Sequence, residues 1–340
     1  KSSPGQALVT EDAIGDILSI DKVIKAPLDG KPLKLSIDAQ IQYFAYQAIK
    51  TEVQKVKAQS GAVAVIDPKT GEVLAAASYP GFNPNQQSDR AGPGVRDRSI
   101  TDLFEPGSTM KAFTISAGLE SGKYTPDTLI DTNPGYYMIS GHKIKDDANF
   151  GIIDVTHVLQ KSSNVGATKI ALSIDHQVLY NLLLNAGISS TPGGHFPGEA
   201  SGNILPFTHL SDLEYATMAF GYAMSTSTLQ LAKAYGAFAN HGTIYPTRFV
   251  TDNSGIYGDS ILKPKTADEV KAMLHTVVQE GGTGLLANIP GYEVAGKTGT
   301  HTSSWTRTEP WPWRHLGLTL ICSKFQRDHR GPYMYALQYN

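Results

Sequence analysis

The chain is predicted to adopt an α+β fold, an antiparallel sheet flanked by helices, and three observations predict it. Strand-like apolar runs occur toward both ends of the chain, at 62–77 and from 292 onward, while residues from about 108 to 240 carry mostly helical spacing. The early runs, 62–66 and 73–77, are joined by Asp67-Pro68-Lys69-Thr70-Gly71, which reads as a hairpin turn. Near-continuous apolarity in both runs calls for a sheet covered on both faces and assembled from segments distant in sequence.

The elements follow in order. Residues 1 to about 33 are turn-rich, with Pro4, Gly5, Gly15, Pro27, Gly30 and Pro32, and read as a linker or the remnant of an upstream non-catalytic region. A short strand is predicted at 33–37. Asp38 is a good N-cap for a helix that places Ile41, Phe44, Ala45, Ala48, Ile49, Val53 and Val56 on one side. After the hairpin, Pro106-Gly107 ends what precedes it, and Ser108 stands in the first turn of a helix with an apolar body at 112–119. Helical spacing returns at 156–161, 166–174, 176–186 and 210–238, interrupted by a Gly/Pro-rich loop at 187–206. A helix at 267–278 precedes Gly281-Gly282-Thr283-Gly284, and a strand at 292–295 runs into Gly296-Lys297-Thr298-Gly299-Thr300.

Composition narrows the function. The 340 residues have a formal net charge of −2, 18% charged and 41% hydrophobic residues, an ordinary globular balance without the basic excess that nucleic acid requires. Apolar stretches fall short of a membrane span, and Lys1-Ser2-Ser3-Pro4 is not a signal peptide, so any anchor or export signal is expected upstream. The single cysteine, Cys322, rules out a disulfide framework and a Cys-based metal site. The histidines show no metal-type pairing. Neither metal nor cofactor is expected.

Chemistry concentrates in three short motifs. In Ser108-Thr109-Met110-Lys111 a hydroxyl and an amine three residues apart share a helix face, at the positive end of the helix dipole. A lysine shielded from water can lose its charge and take the serine proton. Ser-x-x-Lys also occurs at Ser19–Lys22, Ser140–Lys143 and Ser260–Lys263, but none of these has a comparable apolar helix behind it. Ser162-Ser163-Asn164 falls at a break between two helices, where a hydroxyl and an amide can face a cleft. Lys297-Thr298-Gly299-Thr300 ends an apolar strand with a cation, two hydroxyls and an unhindered backbone. Ser201-Gly202-Asn203 and Lys69-Thr70-Gly71 are decoys, the first in a glycine-rich loop and the second in the hairpin turn.

This ordered trio resembles the penicillin-binding proteins, acyl-serine transferases with Ser-x-x-Lys, Ser-x-Asn and Lys-Thr-Gly boxes. The resemblance runs from about Leu33 to Thr300 and is most similar to the class B transpeptidases, in particular the septal enzymes of Gram-negative bacteria. It is most specific at residues 98–108, 159–166 and 229–232. It implies the fold shared by penicillin-binding proteins and serine β-lactamases, with a mostly helical subdomain and a transpeptidase domain at 34–300. Ser108 would attack the carbonyl between two D-alanines of a peptidoglycan stem peptide, with Lys111 as base. Ser162 would relay a proton to the leaving amine, and Asn164 would hold Lys111 and the substrate amide. Lys297, Thr298, Gly299 and Thr300 would bind the terminal carboxylate, and the backbone N–H groups of Ser108 and Thr300 would hold the oxyanion. β-Lactams would acylate Ser108. Division-complex membrane proteins would be partners, at the periplasmic face of the inner membrane. Two departures stand out: Ala223 where relatives usually carry glycine, and Thr228 where proline is usual.

Beyond Thr300 the resemblance stops. All three tryptophans, Trp305, Trp311 and Trp313, and the only cysteine fall in the last forty residues. Two readings are open: a divergent end that still forms strands at 316–322 and 333–339, or a reading-frame change replacing the last strands and helix. The second expects Thr300 to be loosely held. Function has three readings accordingly: a D,D-transpeptidase, a serine β-lactamase (for which no extra carboxylate motif is evident), or a non-catalytic division scaffold or penicilloyl-binding protein.

Overall fold

The computed structural model describes residues 2–92, 94–251, 255, 257–302, 314–324 and 333–339, and the chain divides into two units. In the smaller unit, β1 (Gln6–Glu11) and β2 (Ile17–Lys25) form an antiparallel hairpin, with Gln6 opposite Lys25 and Glu11 opposite Ile17. Asp12 Oδ1 closes its turn by accepting from the Ile14 and Asp16 N–H groups. The turn-rich sequence does not announce these strands, which the recurring Ile17, Ile20 and Val23 support. The strand predicted at 33–37 reduces to an isolated bridge between Leu35 and Val250. Pro32 precedes it, and the run is too short to build a ladder.

The larger unit begins with α1 (Ala39–Val56), capped by Asp38 Oδ1, which accepts from the Gln40 and Ile41 N–H groups at 2.9 and 3.0 Å. Ile49 and Val53 are buried, but Phe44 is 66% exposed and Val56 45%, so the buried face is narrower than predicted. Strands β3 (Gly61–Ile66) and β4 (Val73–Tyr79) form the predicted hairpin. All six residues of β3 are buried, because α1 packs over one face of the hairpin and a later helix over the other. Ile49, Val53, Val63, Val65 and Ala75 make a satellite core on the α1 side. Each fully buried aliphatic side chain contributes about 1.5–3 kcal/mol.

Next come α2 (Arg98–Thr101), a 3-10 turn at Gly107–Met110, and α3 (Lys111–Glu120). Two small hairpin-like pairings follow: β5 (Leu129–Asp131) with β8 (Ile152–Asp154), and β6 (Tyr136–Ile139) with β7 (His142–Lys145). Helices α4 (Val155–Gln160), α5 (Asn164–Ser173) and α6 (His176–Asn185) match the predicted spacing. The run at 210–238 is not one helix. Strand β9 (Asn203–Ile204) pairs with β10 (Met224–Ser225), which separates α7 (Asp212–Met218) from α8 (Thr228–Ala239). Gly221 at φ +88° and Ala223 at φ +59° break the helix there. Both departures from the family pattern fall in this break: Ala223 adopts a conformation that suits glycine, and Thr228 is the first helical residue, a position that suits proline.

The chain then returns through β11 (Thr243–Ile244), β12 (Asp259–Ser260), α9 (Pro264–Val277) and β13 (Tyr292–Thr302), and ends with β14 (Arg314–Lys324) and β15 (Tyr333–Tyr339). The main sheet is antiparallel, in the order β13-β14-β15-β3-β4. Thr300 lies opposite Leu316, and Met334 opposite Ile66, so the two last strands stand between the Lys-Thr-Gly strand and the early hairpin. Helix α8 covers β3 and β15 on the face opposite α1, and α9 packs along β13. No helix among the described residues is long and apolar enough to cross a membrane.

Asp38→Ala removes the acceptor of both N–H bonds at the start of α1 and should lower stability by about 1 kcal/mol in urea unfolding, whereas Asp38→Asn should recover most of it.

Candidate active site

The nucleophile turn is set by close backbone approach. Gly107 stands at φ +57°, and a Cβ there would lie 2.7 Å from the Thr300 carbonyl oxygen. A Cβ at Gly221 would lie only 2.1 Å from the Gly107 carbonyl oxygen, and the Gly107 N–H donates to the Gly221 carbonyl at 3.2 Å. The Gly107–Met110 turn is thus held between β13 and the α7–α8 break. From behind, the buried Tyr235 hydroxyl of α8 donates to the Thr109 carbonyl at 2.6 Å, within an aromatic cluster with Phe113 and Phe238. Thr114 donates to the Ala219 carbonyl at 2.7 Å.

Ser108 is half-buried and lines the cavity, while Lys111 is fully buried at the start of α3. Lys111 Nζ lies 2.9 Å from Ser108 Oγ and 3.0 Å from Ser162 Oγ, and donates to the Ser162 carbonyl. Ser162 occupies the break between α4 and α5 at φ +60°. Lys297, also fully buried, approaches the same hydroxyl from β13: its Nζ donates to Ser162 Oγ at 2.9 Å and to the Thr298 carbonyl at 3.0 Å.

Burial determines the charge state. Desolvation, reinforced by the neighbouring Lys297 charge, drives the Lys111 amine well below the ordinary lysine value of 10.5, against an opposing pull from Asp146 and Asp147. Desolvation also brings Lys297 down to about 7, opposed by Asp147. A neutral Lys111 can donate to both Ser162 oxygens and turn its lone pair toward the Ser108 hydroxyl.

The sequence-predicted residues thus converge, with one correction. Asn164 lines the cavity, but its Nδ2 donates to the Lys145 carbonyl at 2.8 Å and makes no bond to Lys111. The helix break turns this side chain toward the β7 end rather than toward α3. Thr298, Gly299 and Thr300 line the opposite wall as expected. They lie within an eleven-residue edge strand rather than at a strand end. The decoys stay apart from the cavity lining: Lys69–Gly71 remains in the hairpin turn, and Ser201–Asn203 lies in the loop bonded by Gln230.

Several supporting residues carry no short motif. Asp146 clamps the Ser162–Asn164 turn, its carboxylate accepting from Ser163 Oγ at 2.6 Å and the Val165 N–H at 2.9 Å. Thr283 pairs with Thr298, hydroxyl to hydroxyl, at 2.7 Å, and the preceding Gly281-Gly282 was the only sequence signal for that loop. Lys161 donates to the Gly281 carbonyl at 2.8 Å, and His275 Nδ1 donates to the Val294 carbonyl at 2.7 Å, so α9 and its loop tie the two walls together. The cavity encloses about 900 Å³ and continues past Thr283 to Leu285–Ala287 and to Glu52 and Lys55 of α1.

Comparison with known proteins matches this arrangement. The family model for the penicillin binding protein transpeptidase domain matches residues 61–310. The probable peptidoglycan D,D-transpeptidase PbpC of Pseudomonas aeruginosa is 39% identical over 287 residues, covering 84% of this chain and 51% of that protein. The peptidoglycan D,D-transpeptidase FtsI of Escherichia coli is 36% identical over 301 residues, covering 87% and 50%. The chain spans about half the length of these two relatives. The transpeptidase domain of Burkholderia pseudomallei penicillin-binding protein 3 superposes with a TM-score of 0.80 at 37% identity, covering 92% of this chain and 89% of that one. Penicillin binding protein 3 from Mycobacterium tuberculosis, complexed with aztreonam, gives a TM-score of 0.82 at 27% identity, covering 94% and 74%.

The close approach at the turn makes a sharp contrast between two glycines. Gly221→Ala should lower stability by about 1–3 kcal/mol in urea unfolding. Gly236→Ala, in α8 with its nearest neighbour 3.9 Å away, should be neutral or stabilising by up to about 1 kcal/mol.

Proposed function

The chain belongs to the penicillin-binding protein transpeptidase family, and on that premise we propose that it cross-links peptidoglycan during septal wall synthesis through an ester on Ser108. The observation that carries this reading is the convergence of Lys111 and Lys297 on Ser162 Oγ beside the Ser108 hydroxyl. Neutral Lys111 takes the Ser108 proton as Oγ bonds to the carbonyl carbon between two D-alanines. The oxyanion sits between the Ser108 and Thr300 N–H groups, each such donor contributing about 3–4 kcal/mol to the transition state. The C–N bond then breaks, and the proton passes from Lys111 through Ser162 to the leaving D-alanine amine. Lys297, Thr298 and Thr300 hold the terminal carboxylate of the donor. Asn164, anchored on the β7 end, presents the rest of its amide to the substrate backbone. An amine from a neighbouring strand finally takes the acyl group.

The aztreonam complex of the mycobacterial relative supports β-lactams as ligands that acylate Ser108. The peptidoglycan named in the relatives' activity supports a site of action at the cell wall, proposed here as the periplasmic face of the inner membrane with division-complex membrane proteins as partners. In domain terms we take 34–300 as the transpeptidase domain, 1–33 as a linker or non-catalytic segment, and 301–340 as a divergent or frame-shifted end, within which β14 and β15 complete the sheet. The nucleotide sequence around codon 300 tests the last point, since a family-like ending in another frame establishes the frame change and its absence refutes it.

Intact-mass analysis after penicillin exposure should show a persistent adduct that Ser108→Ala abolishes and that Ser140→Ala and Ser260→Ala retain. No adduct favours the scaffold reading, and rapid nitrocefin turnover favours a β-lactamase. Lys111→Ala should slow acylation by about 10²–10⁴-fold. The pH dependence has a definite sign. Acylation requires Lys111 neutral, so its rate falls as pH drops through the depressed Lys111 pKa. Carboxylate binding requires Lys297 charged, so it also falls above about 7. A bell-shaped profile is expected, and a rate that climbs steadily toward pH 10.5 contradicts the assignment.

A further inference from the structure

The acidic pair Asp146-Asp147, at the end of the β6–β7 hairpin, divides its labour. Asp146 is committed to the Ser163 hydroxyl and the Val165 N–H. Asp147 is exposed, lines the same cavity as Ser108, Ser162 and Asn164, and has no hydrogen-bond or ion-pair partner among the described residues. The other carboxylate on the cavity wall, Glu52, is paired with Lys55 at 3.2 Å. The cavity thus carries polar groups on two sides, with Phe220 and Leu285–Ala287 between them. Its β13 side presents the Thr298 and Thr300 hydroxyls with the buried Lys297 amine behind them, which suit an anion, and Asp147 presents a carboxylate, which suits a cation.

We propose that Asp147 is the specificity-determining residue for the second half of the reaction, receiving the acceptor as a primary ammonium group within the cavity that Ser108, Ser162 and Asn164 line. This rests on the transpeptidase reading above. The chemistry balances. The acceptor arrives as R–NH3+ against the Asp147 carboxylate and releases one proton to solvent. The resulting amine attacks the ester carbonyl, and a C–N bond forms. Lys111 takes the second proton from nitrogen, the C–Oγ bond breaks, and Lys111 returns that proton to Ser108 Oγ. Asp147 also lies near enough for its charge to favour protonated Lys111 and Lys297, consistent with a position facing both. Attraction at an exposed carboxylate is modest and screened by salt.

The test is the partition of the acyl-enzyme between amine and water, a ratio independent of how fast the acyl-enzyme forms. The full chain is acylated with a D-alanyl thioester donor, and products are measured with two acceptors at a pH between their pKa values: glycinamide, largely cationic below its pKa, and hydroxylamine, largely neutral above its own. Asp147→Asn should lower the amide-to-hydrolysis ratio for the cationic acceptor about fivefold at low salt and less at high salt, with the hydroxylamine ratio unmoved. Asp147→Glu should restore it. An unchanged cationic ratio, or an equal fall with hydroxylamine, overturns the assignment of Asp147 alone. Failure of the wild-type chain to form any acyl-enzyme overturns the transpeptidase reading, and this assignment with it.

Discussion

Two buried amines sharing one hydroxyl form the constraint on which the site depends. Lys111 and Lys297 both lose their water, and both lie within 3.0 Å of Ser162 Oγ, so the two nitrogens are within about 6 Å of each other. Two positive charges at that separation repel by about 3 kcal/mol at an effective dielectric constant of about 20, in addition to the desolvation of each. The site relieves this by letting one of them go neutral. Lys111 is the one driven further, lying at the base of α3 with the Lys297 charge against it. Lys297 keeps carbonyl and hydroxyl partners on Thr298 and faces the wall where an anion docks. A general base and a cation are thereby made from two residues of the same type.

The surrounding fold keeps that geometry from relaxing. If the turn carrying Ser108 moved, Lys111 would find other partners, and its burial would be lost. Gly107 and Gly221 let three backbone segments meet where a methyl group would not fit, and Tyr235 fixes the Thr109 carbonyl from the core. On the other wall, Asp146 holds the Ser162–Asn164 turn, and Lys161 and His275 link α4, α9 and β13. The side chains around Ser108 are positioned by others from four separate places: α8, the residue after β7, the end of α4, and α9.

Much of this was legible in the sequence because it is local. Asp38 as a cap, the 62–77 hairpin and the helix behind Ser108 follow from short-range periodicity and turn chemistry. The three boxes, taken in order, named residues that the fold brings together at one cavity. What escaped is non-local. Asp146 lies sixteen residues before Ser162, in a hairpin with no motif, and only the folded β6–β7 arm brings it against the turn. The split of 210–238 into two helices depends on positive φ at Gly221 and Ala223, and an alanine gives no warning of that. Phe44 and Val56 follow the apolar period of α1, yet they lie beyond the strip that the sheet covers. Asn164 lines the cavity as the helix break suggested, but the contact to Lys111 that the resemblance implied is replaced by one to the Lys145 carbonyl.

The claim that Lys111 is uncharged in the resting protein can be measured directly. A nuclear magnetic resonance titration of isotope-labelled lysine, with the Lys111 signal assigned by its disappearance in Lys111→Ala, reads the protonation of that one amine. The account predicts an amine signal whose protonation occurs well below 10.5. A Lys111 signal that stays protonated through neutral pH and titrates near 10.5 contradicts it.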